Sequence, residues 1–400
     1  MKNFSLAVSK FIRRHIPVVL SGVAALLSTI SYADQYSLEY GVEAGYEYND
    51  NVRLTPDNEV SISGGQLTIP ATFATEDERL KTSLQGELKF SKYDVEEYDS
   101  DDQFLRGDME YKFERSEFNG YAGYTRDSTR SSEFLDTGVV GLEAVRREMA
   151  TVGASGSHFF TEKNGLTAGI DYRDVQYDSD FFQDFDFVSG YAGWINQWTE
   201  RTRLRLQGFA SRYENDGDIT VSTDGAGLQA GFDSDLSERT TTTLLIGWVS
   251  SSTDYSTNLP IAPPDDSDDD SLYLRATVNY RGERHFFRGQ IKSEPSPSSN
   301  GTMVEENLLG LVYRYRVTER SNFESELTVG QRGALDDRIK NDRDFARLSL
   351  GLDYRITEAW YVSGRYQFSY QDRDLDPDSA DSNAVYLSLV FRPQKSVWSR

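Results

Sequence analysis

The stretch from Tyr36 to Glu59 reads YSLEYGVEAGYEYNDNVRLTPDNE. Its first part alternates without a break. Tyr36, Leu38, Tyr40, Val42, Ala44, Tyr46 and Tyr48 share one parity, and Ser37, Glu39, Gly41, Glu43, Gly45 and Glu47 share the other. Successive side chains of a β-strand point to opposite sides of the sheet. A period of two therefore predicts a strand with one aromatic-ended apolar face and one acidic face. A soluble sandwich could hold one such strand. Here the pattern recurs almost to the last residue.

Period-two matching predicts about eighteen strands. They fall at 36–48, 66–74, 80–91, 103–114, 116–127, 148–160, 165–177, 187–198, 202–213, 224–234, 239–250, 271–282, 285–294, 304–317, 321–332, 344–357, 359–371 and 383–391. In 346–356 the apolar face is Ala346, Leu348, Leu350, Leu352, Tyr354 and Ile356, against Arg347, Ser349, Gly351, Asp353 and Arg355. The connections are of two kinds. Short ones repeat a theme: Thr161-Glu162-Lys163-Asn164, Thr199-Glu200-Arg201-Thr202, Ser237-Glu238-Arg239-Thr240, Thr318-Glu319-Arg320-Ser321. Long ones are acidic: DVEEYDSDD at 94–102, PPDDSDDD at 263–270, RDLDPDSADS at 373–382. Short turns on one side and long loops on the other mark an outer-membrane barrel, with the turns periplasmic and the loops extracellular. The fold expected is all-β: a transmembrane antiparallel up-and-down β-barrel of about 18 strands, with no plug or extra domain. A soluble multi-sandwich would need neither aromatic strand ends nor this asymmetry of turns, and so long an open sheet would curl or split.

Residues 1–33 read as a signal peptide. Lys2, Lys10, Arg13 and Arg14 form a basic start, 16–30 is apolar, and Ser31-Tyr32-Ala33 supplies the small residues of a cleavage site. The barrel then occupies 34–400. Its last predicted strand closes on Phe391, and Arg392–Arg400 is expected to overhang as a periplasmic tail. Cysteine is absent, which excludes a lipid anchor on an N-terminal cysteine, disulfides and thiol catalysis. The net charge of −23 makes nucleic acid an unsuitable partner. The mean hydropathy of −0.59 is compatible with a barrel, since only alternate strand residues need face lipid.

The parity opposite the apolar face carries both signs of charge. Glu39, Glu43, Arg106, Arg205, Arg275, Arg314, Arg347 and Arg365, with Tyr191 and Tyr361, are the pore-lining candidates. Charges facing lipid are costly, so this face should meet water, and a barrel of this size encloses a channel. Opposed acidic and basic walls would orient a polar solute. Tyr121, Tyr191, Phe209 and Tyr361 would either stack on sugar rings or pack against the rim. The mature chain keeps His158 and His285, both near predicted turns. Nearby Ser155 and Ser157 do not make a nucleophile pair, so no enzyme and no catalytic residue is expected. Asp372, Asp374, Asp376 and Asp378 alternate like a calcium loop but lack its glycine and closing glutamate, so no metal or other cofactor is expected.

Residues 48–61, YNDNVRLTPDNEVS, resemble the outer-membrane β-barrel porins associated with exopolysaccharide gene clusters. Asp50, Asn51, Val52, Thr55, Pro56, Asp57, Asn58 and Glu59, continued by Val60 and Ser61, carry the likeness. The resemblance implies an exit pore for a secreted or capsular polysaccharide, with the polymer, periplasmic export proteins and outer-membrane lipid and lipopolysaccharide as partners. Three readings follow: a polysaccharide-export channel, a general or solute-specific diffusion porin, and a barrel enzyme acting on lipid A or polysaccharide.

Overall fold

The computed structural model describes residues 35–136, 144–179, 181–257, 265–335, 342–374 and 378–399. The signal-peptide reading lies outside them. Twenty strands form one antiparallel sheet. They are β1 (Gln35–Tyr40), β2 (Val42–Asn49), β3 (Ile62–Glu76), β4 (Leu80–Tyr93), β5 (Ser100–Lys112), β6 (Ser116–Ser128), β7 (Arg146–Phe159), β8 (Asn164–Tyr177), β9 (Phe185–Gln197) and β10 (Thr202–Asn215). They continue as β11 (Ile219–Ser237), β12 (Thr240–Thr257), β13 (Ser267–Arg281), β14 (His285–Pro297), β15 (Met303–Arg316), β16 (Ser321–Ala334), β17 (Arg343–Arg355), β18 (Trp360–Arg373), β19 (Ala380–Phe391) and β20 (Ser396–Ser399). Each strand from β3 to β19 pairs with its chain neighbour, and β19 returns to β2, so the sheet closes. Since β1 and β2 share one stave and β19 and β20 another, the barrel has eighteen staves.

The sequence periodicity becomes an inside and an outside. Leu166, Ile170, Leu206, Leu228, Trp248, Leu272 and Leu387 all face outward and are exposed, Leu228 to 66%. In water such a belt would be unstable; in lipid it is the face that barrels present. A closed barrel leaves no unpaired edge inside the bilayer. The fold places the protein in the outer membrane of a Gram-negative envelope. Among the described residues no helix is long and apolar enough to cross a membrane.

The repeated short turns have a common cause. In each, the first side chain accepts hydrogen bonds from backbone N–H groups two or three residues on, which tightens the reversal. Thr318 Oγ1 accepts from Arg320 N–H at 3.1 Å and Ser321 N–H at 3.0 Å. Thr161 and Thr357 repeat the pattern, and Asp77 does so with a carboxylate.

Three expectations need correction. Strand 36–48 is two strands, because the seam shifts register at Gly41. Above it Val42 pairs with Phe391; below it Leu38 pairs with Ser396. The four residues 392–395 thus oppose the three residues 39–41. This one-residue bulge contains Pro393, which has no N–H to give the ladder. The supposed tail is not an overhang: β20 pairs with β1, and Trp398 stacks on Tyr36 at 6.0 Å between ring centres. Third, acidic stretches placed in loops are partly strand. β13 begins at Ser267 and β5 at Ser100, and β11 and β12 run to 19 and 18 residues. A strand needs about 9–11 residues to span the membrane. Beyond that the ladder persists on backbone pairing, where no lipid enforces an apolar face.

Candidate pore and its inner constriction

The β6–β7 connection does not stay outside. Its helix α1 (Thr129–Asp136) folds into the mouth of the barrel. Thr129 fixes its start by exchanging bonds with Val145, N–H to carbonyl at 2.9 Å and Oγ1 from N–H at 3.0 Å. From there α1 touches β2, β4, β7, β8, β16 and β17. Arg130 donates to Glu47 of β2 at 3.0 Å and to the Tyr93 hydroxyl of β4 at 2.7 Å. Glu133 accepts from Arg147 of β7 at 3.1 Å, the Tyr177 hydroxyl of β8 at 2.9 Å, and Ser299 Oγ at 3.1 Å. Arg147 is also held in a bidentate grip by Asp127, at 2.9 and 2.8 Å. Phe134 meets Phe345 of β17 edge-on at 5.7 Å, with the Arg343 and Arg347 guanidiniums over its ring at 4.5 and 4.2 Å.

These charges are fully withdrawn from water: Glu47, Asp127 and Glu133 are each 1% exposed and Arg147 2%. A buried charge is tolerated when it is paired and its remaining valences are filled. The knot meets both conditions, so α1 is pinned rather than loosely packed. Two further segments join it. In the first loop Leu54 is buried with Phe134, Phe345 and Ala380, and its carbonyl accepts from Gln371 at 2.5 Å. In the β14–β15 connection Ser298 and Ser299 are buried, and the Ser298 carbonyl accepts from the Tyr213 hydroxyl at 3.1 Å. The three buried apolar clusters include residues of these inward segments or of the strand ends beside them. The aqueous channel expected from the strand count is thus narrowed at its extracellular mouth.

The ladder register puts all ten sequence-named lining candidates on the lumen face. Glu43 lies opposite Val390, Arg106 opposite Gln85 and Gly123, Arg205 opposite Ile195 and Gly231, and Arg365 opposite Gly351 and Tyr386. The expected opposed walls are corrected. Arg106 pairs with Asp108 at 2.8 Å, Arg275 with Glu294 at 2.7 Å, Arg314 with Glu324 at 2.9 Å, and Arg205 with Asp233. Neighbouring staves, or alternate residues of one strand as with Arg106 and Asp108, set such side chains within about 5–8 Å, so opposite charges find each other along the wall before they can act across it. Glu39 likewise pairs with Lys395 at 2.9 Å, beside β20. Arg347 bonds to Ser369 at 3.3 Å as well as covering Phe134.

The lumen aromatics lie flat on the wall. A Cβ at Gly169 would sit 2.6 Å from the Tyr191 ring, and one at Gly153 2.4 Å from the Tyr121 ring. Each glycine faces its aromatic across the ladder and leaves room for the ring. Tyr361 sits beside a periplasmic turn, its hydroxyl 3.5 Å from the Glu358 carbonyl. A cavity of about 620 Å³ opens in the periplasmic half of the lumen, with Arg106, Tyr121 and Tyr191 on its wall.

The motif at 50–61 is a clasp across the seam. Asp50 accepts from the backbone N–H and side-chain amide of Asn383 at 2.6 and 2.9 Å. The Asn51 amide donates to the Thr55 and Asp381 carbonyls, both at 2.9 Å, and Val52 N–H donates to the Val60 carbonyl at 2.9 Å. Leu54 and Asn58 adopt φ of 50° and 55°. Thr55, Pro56, Asp57 and Glu59 complete the turn. His158 has the outward parity, opposite to Ser155 and Ser157, and its Nδ1 lies 2.8 Å from Ser116 Oγ. His285 Nδ1 lies 2.9 Å from the Tyr313 hydroxyl. Among the described residues no group of carboxylates or histidines could hold a metal. Asp376 of the aspartate series lies outside the described residues.

Arg130, Glu133, Phe134 and Arg147 escape a reading by periodicity. α1 is short, and its partners are distant in sequence.

The barrel is similar to that of OccAB3 from Acinetobacter baumannii, at 12% identity and TM-score 0.45 over 90% of this chain and 99% of that one. It is similar to OpdK from Pseudomonas aeruginosa, at 11% identity and TM-score 0.42 over 91% and 99%. A third is the ferric citrate transporter FecA in its unliganded form, at 9% identity and TM-score 0.45 over 89% and 79%. At these values the likeness is one of barrel shape. No family model matches the chain, and none of the curated proteins does.

Proposed function

We propose that the protein is an outer-membrane diffusion channel for small polar and charged solutes, and not an enzyme. The observation that carries this is a two-signed, water-facing lumen narrowed by a pinned inward helix. A polar wall lowers the barrier for a hydrated solute, and an inward segment sets the size limit. The pore-lining roles of Glu39, Glu43, Arg106, Tyr191, Arg205, Arg275, Arg314, Arg347, Tyr361 and Arg365 belong to the same proposal.

The test is solute flux. Purified full chain in liposomes should admit monosaccharides and small ions and exclude larger oligosaccharides. Absence of both swelling and conductance, in the wild type and in a variant lacking 129–136, would sink the reading. A second reading, export of a polysaccharide alongside periplasmic partners, is favoured by the resemblance of residues 48–61. Deleting the gene separates the two. Loss of polymer outside the cell, restored by a plasmid copy, favours export; unchanged polymer with impaired solute uptake favours diffusion.

A further inference from the structure

The helix α1 does not fill the mouth evenly. On the side of β7, β8, β16 and β17 it is in direct contact with the wall. Toward β18, β19, β2 and β4, among the described residues, only the Arg130 side chain reaches the wall, and a cavity of about 160 Å³ remains between α1, the first loop and the staves. Arg53, Lys89, Arg130 and Arg347 line it, against Glu47 as the one carboxylate among its described lining residues, with Asp102 opposite Lys89 on the β4–β5 ladder. The protein as a whole carries −23, so this concentration of positive charge runs against its composition. We infer that the cavity is a binding site for a small organic or inorganic anion, a carboxylate or a phosphate, and that it makes the channel anion-selective.

The geometry fits that class. Arg53 is partly engaged, at 2.8 Å to the Tyr98 hydroxyl and 3.4 Å to Glu97. Arg130 shares Glu47, but its Nε is buried with no hydrogen-bond partner among the described residues. A buried guanidinium N–H left unsatisfied is costly, and an anion oxygen would fill it. Asn49, Gln367 and Tyr386 add neutral polar groups to the lining. The volume suits several waters or one small anion, not a sugar chain. Charge at a narrow point of low dielectric dominates selectivity, whatever the sign of the outer loops.

The inference rests on the channel reading for its transport consequence, though not for binding. Two measurements on the full-length protein separate them. The first is calorimetric titration of the detergent-solubilised protein with succinate and, separately, inorganic phosphate. Lys89→Gln should weaken binding about tenfold, the worth of one nearby charge, while Lys163→Gln on a periplasmic turn should leave it unchanged. The second is the reversal potential in a potassium chloride gradient, where the wild type should favour chloride and Lys89→Glu should move the preference toward potassium. Binding without conductance would keep the site and overturn the channel. Conductance that is cation-selective and indifferent to Lys89→Glu, with no anion binding, would overturn the site and keep the channel. Binding of succinate or phosphate that survives Lys89→Gln unchanged would also overturn it.

Discussion

At the scale of the residue, single polar atoms decide local structure. Thr318 and Asp77 close their turns with one oxygen each, which is why Thr, Ser or Asp returns at the same point in successive turns. Asp184 is a carboxylate in a different position. It lies in the β8–β9 connection, outside the spanning strands, where burial pushes its pKa up to about 6. The Tyr177 N–H, donating to it at 2.7 Å, pulls the other way, and nearby Asp216 adds to the rise. The folded protein therefore binds this proton more tightly than the unfolded chain. The stability it contributes is full below the ordinary carboxylate range and is lost as pH climbs through about 6. Asp184→Asn should remove that loss. Unfolding by urea at neutral pH should show the variant more stable by about 1 kcal/mol, a value discounted for partial exposure. At pH 3 the two should coincide, and an equal gap at both pH values would count against this account.

At the scale of the element, α1 shows why a short polar segment can be immovable. Its helical hydrogen bonds alone would not hold eight residues in water. The Glu133–Arg147–Asp127 knot and the Phe134 cluster do so instead. Glu133→Ala takes one carboxylate partner from Arg147 and two hydroxyl contacts from the helix. Removing one member of such a buried pair costs about 3–5 kcal/mol. The expected outcome is faster amide exchange over 129–136 together with a larger single-channel conductance. Unchanged exchange and conductance would show that the helix is held by something else. Strands and α1 also differ in what made them readable. A spanning strand repeats the demands of lipid outside and water inside at every second residue, so Leu348, Leu350 and Leu352 announce themselves. Arg130 and Glu133 carry no such periodic signal, because Glu47, Tyr177 and Ser299, which give them their role, are remote in the chain. Lys395 escaped for the same reason: its partner is Glu39.

At the scale of the molecule, the parity of the strands and their number were legible, while the filling of the lumen was not. Period two states which way a side chain points but not how far inward a loop returns. The seam was half legible. Phe391 could be read as the end of an outward face, but the bulge at Pro393 breaks the alternation and hid β20 beyond it. Trp398, Tyr36 and Phe73 form an aromatic trio there, with ring centres 6.0 to 6.4 Å apart. Such contacts are worth about 0.5–1.5 kcal/mol a pair. Trp398→Ala should therefore lower the barrel's stability by about 1–2 kcal/mol, read as an earlier urea midpoint in lipid vesicles; an unmoved midpoint would mean that β20 is decoration. The joining of β1 to β20 also decides what the barrel leaves exposed at its seam. Gln35 and its mate Ser399 belong to the first and last strands of the sheet, so the cylinder is closed by a contact between strands remote in the chain. Until the two meet, a nearly complete wall stands with a raw border on each side, each able to recruit a stranger's strand. Pairing β20 with β1 and β19 with β2 removes both borders together and leaves neither open to a stranger.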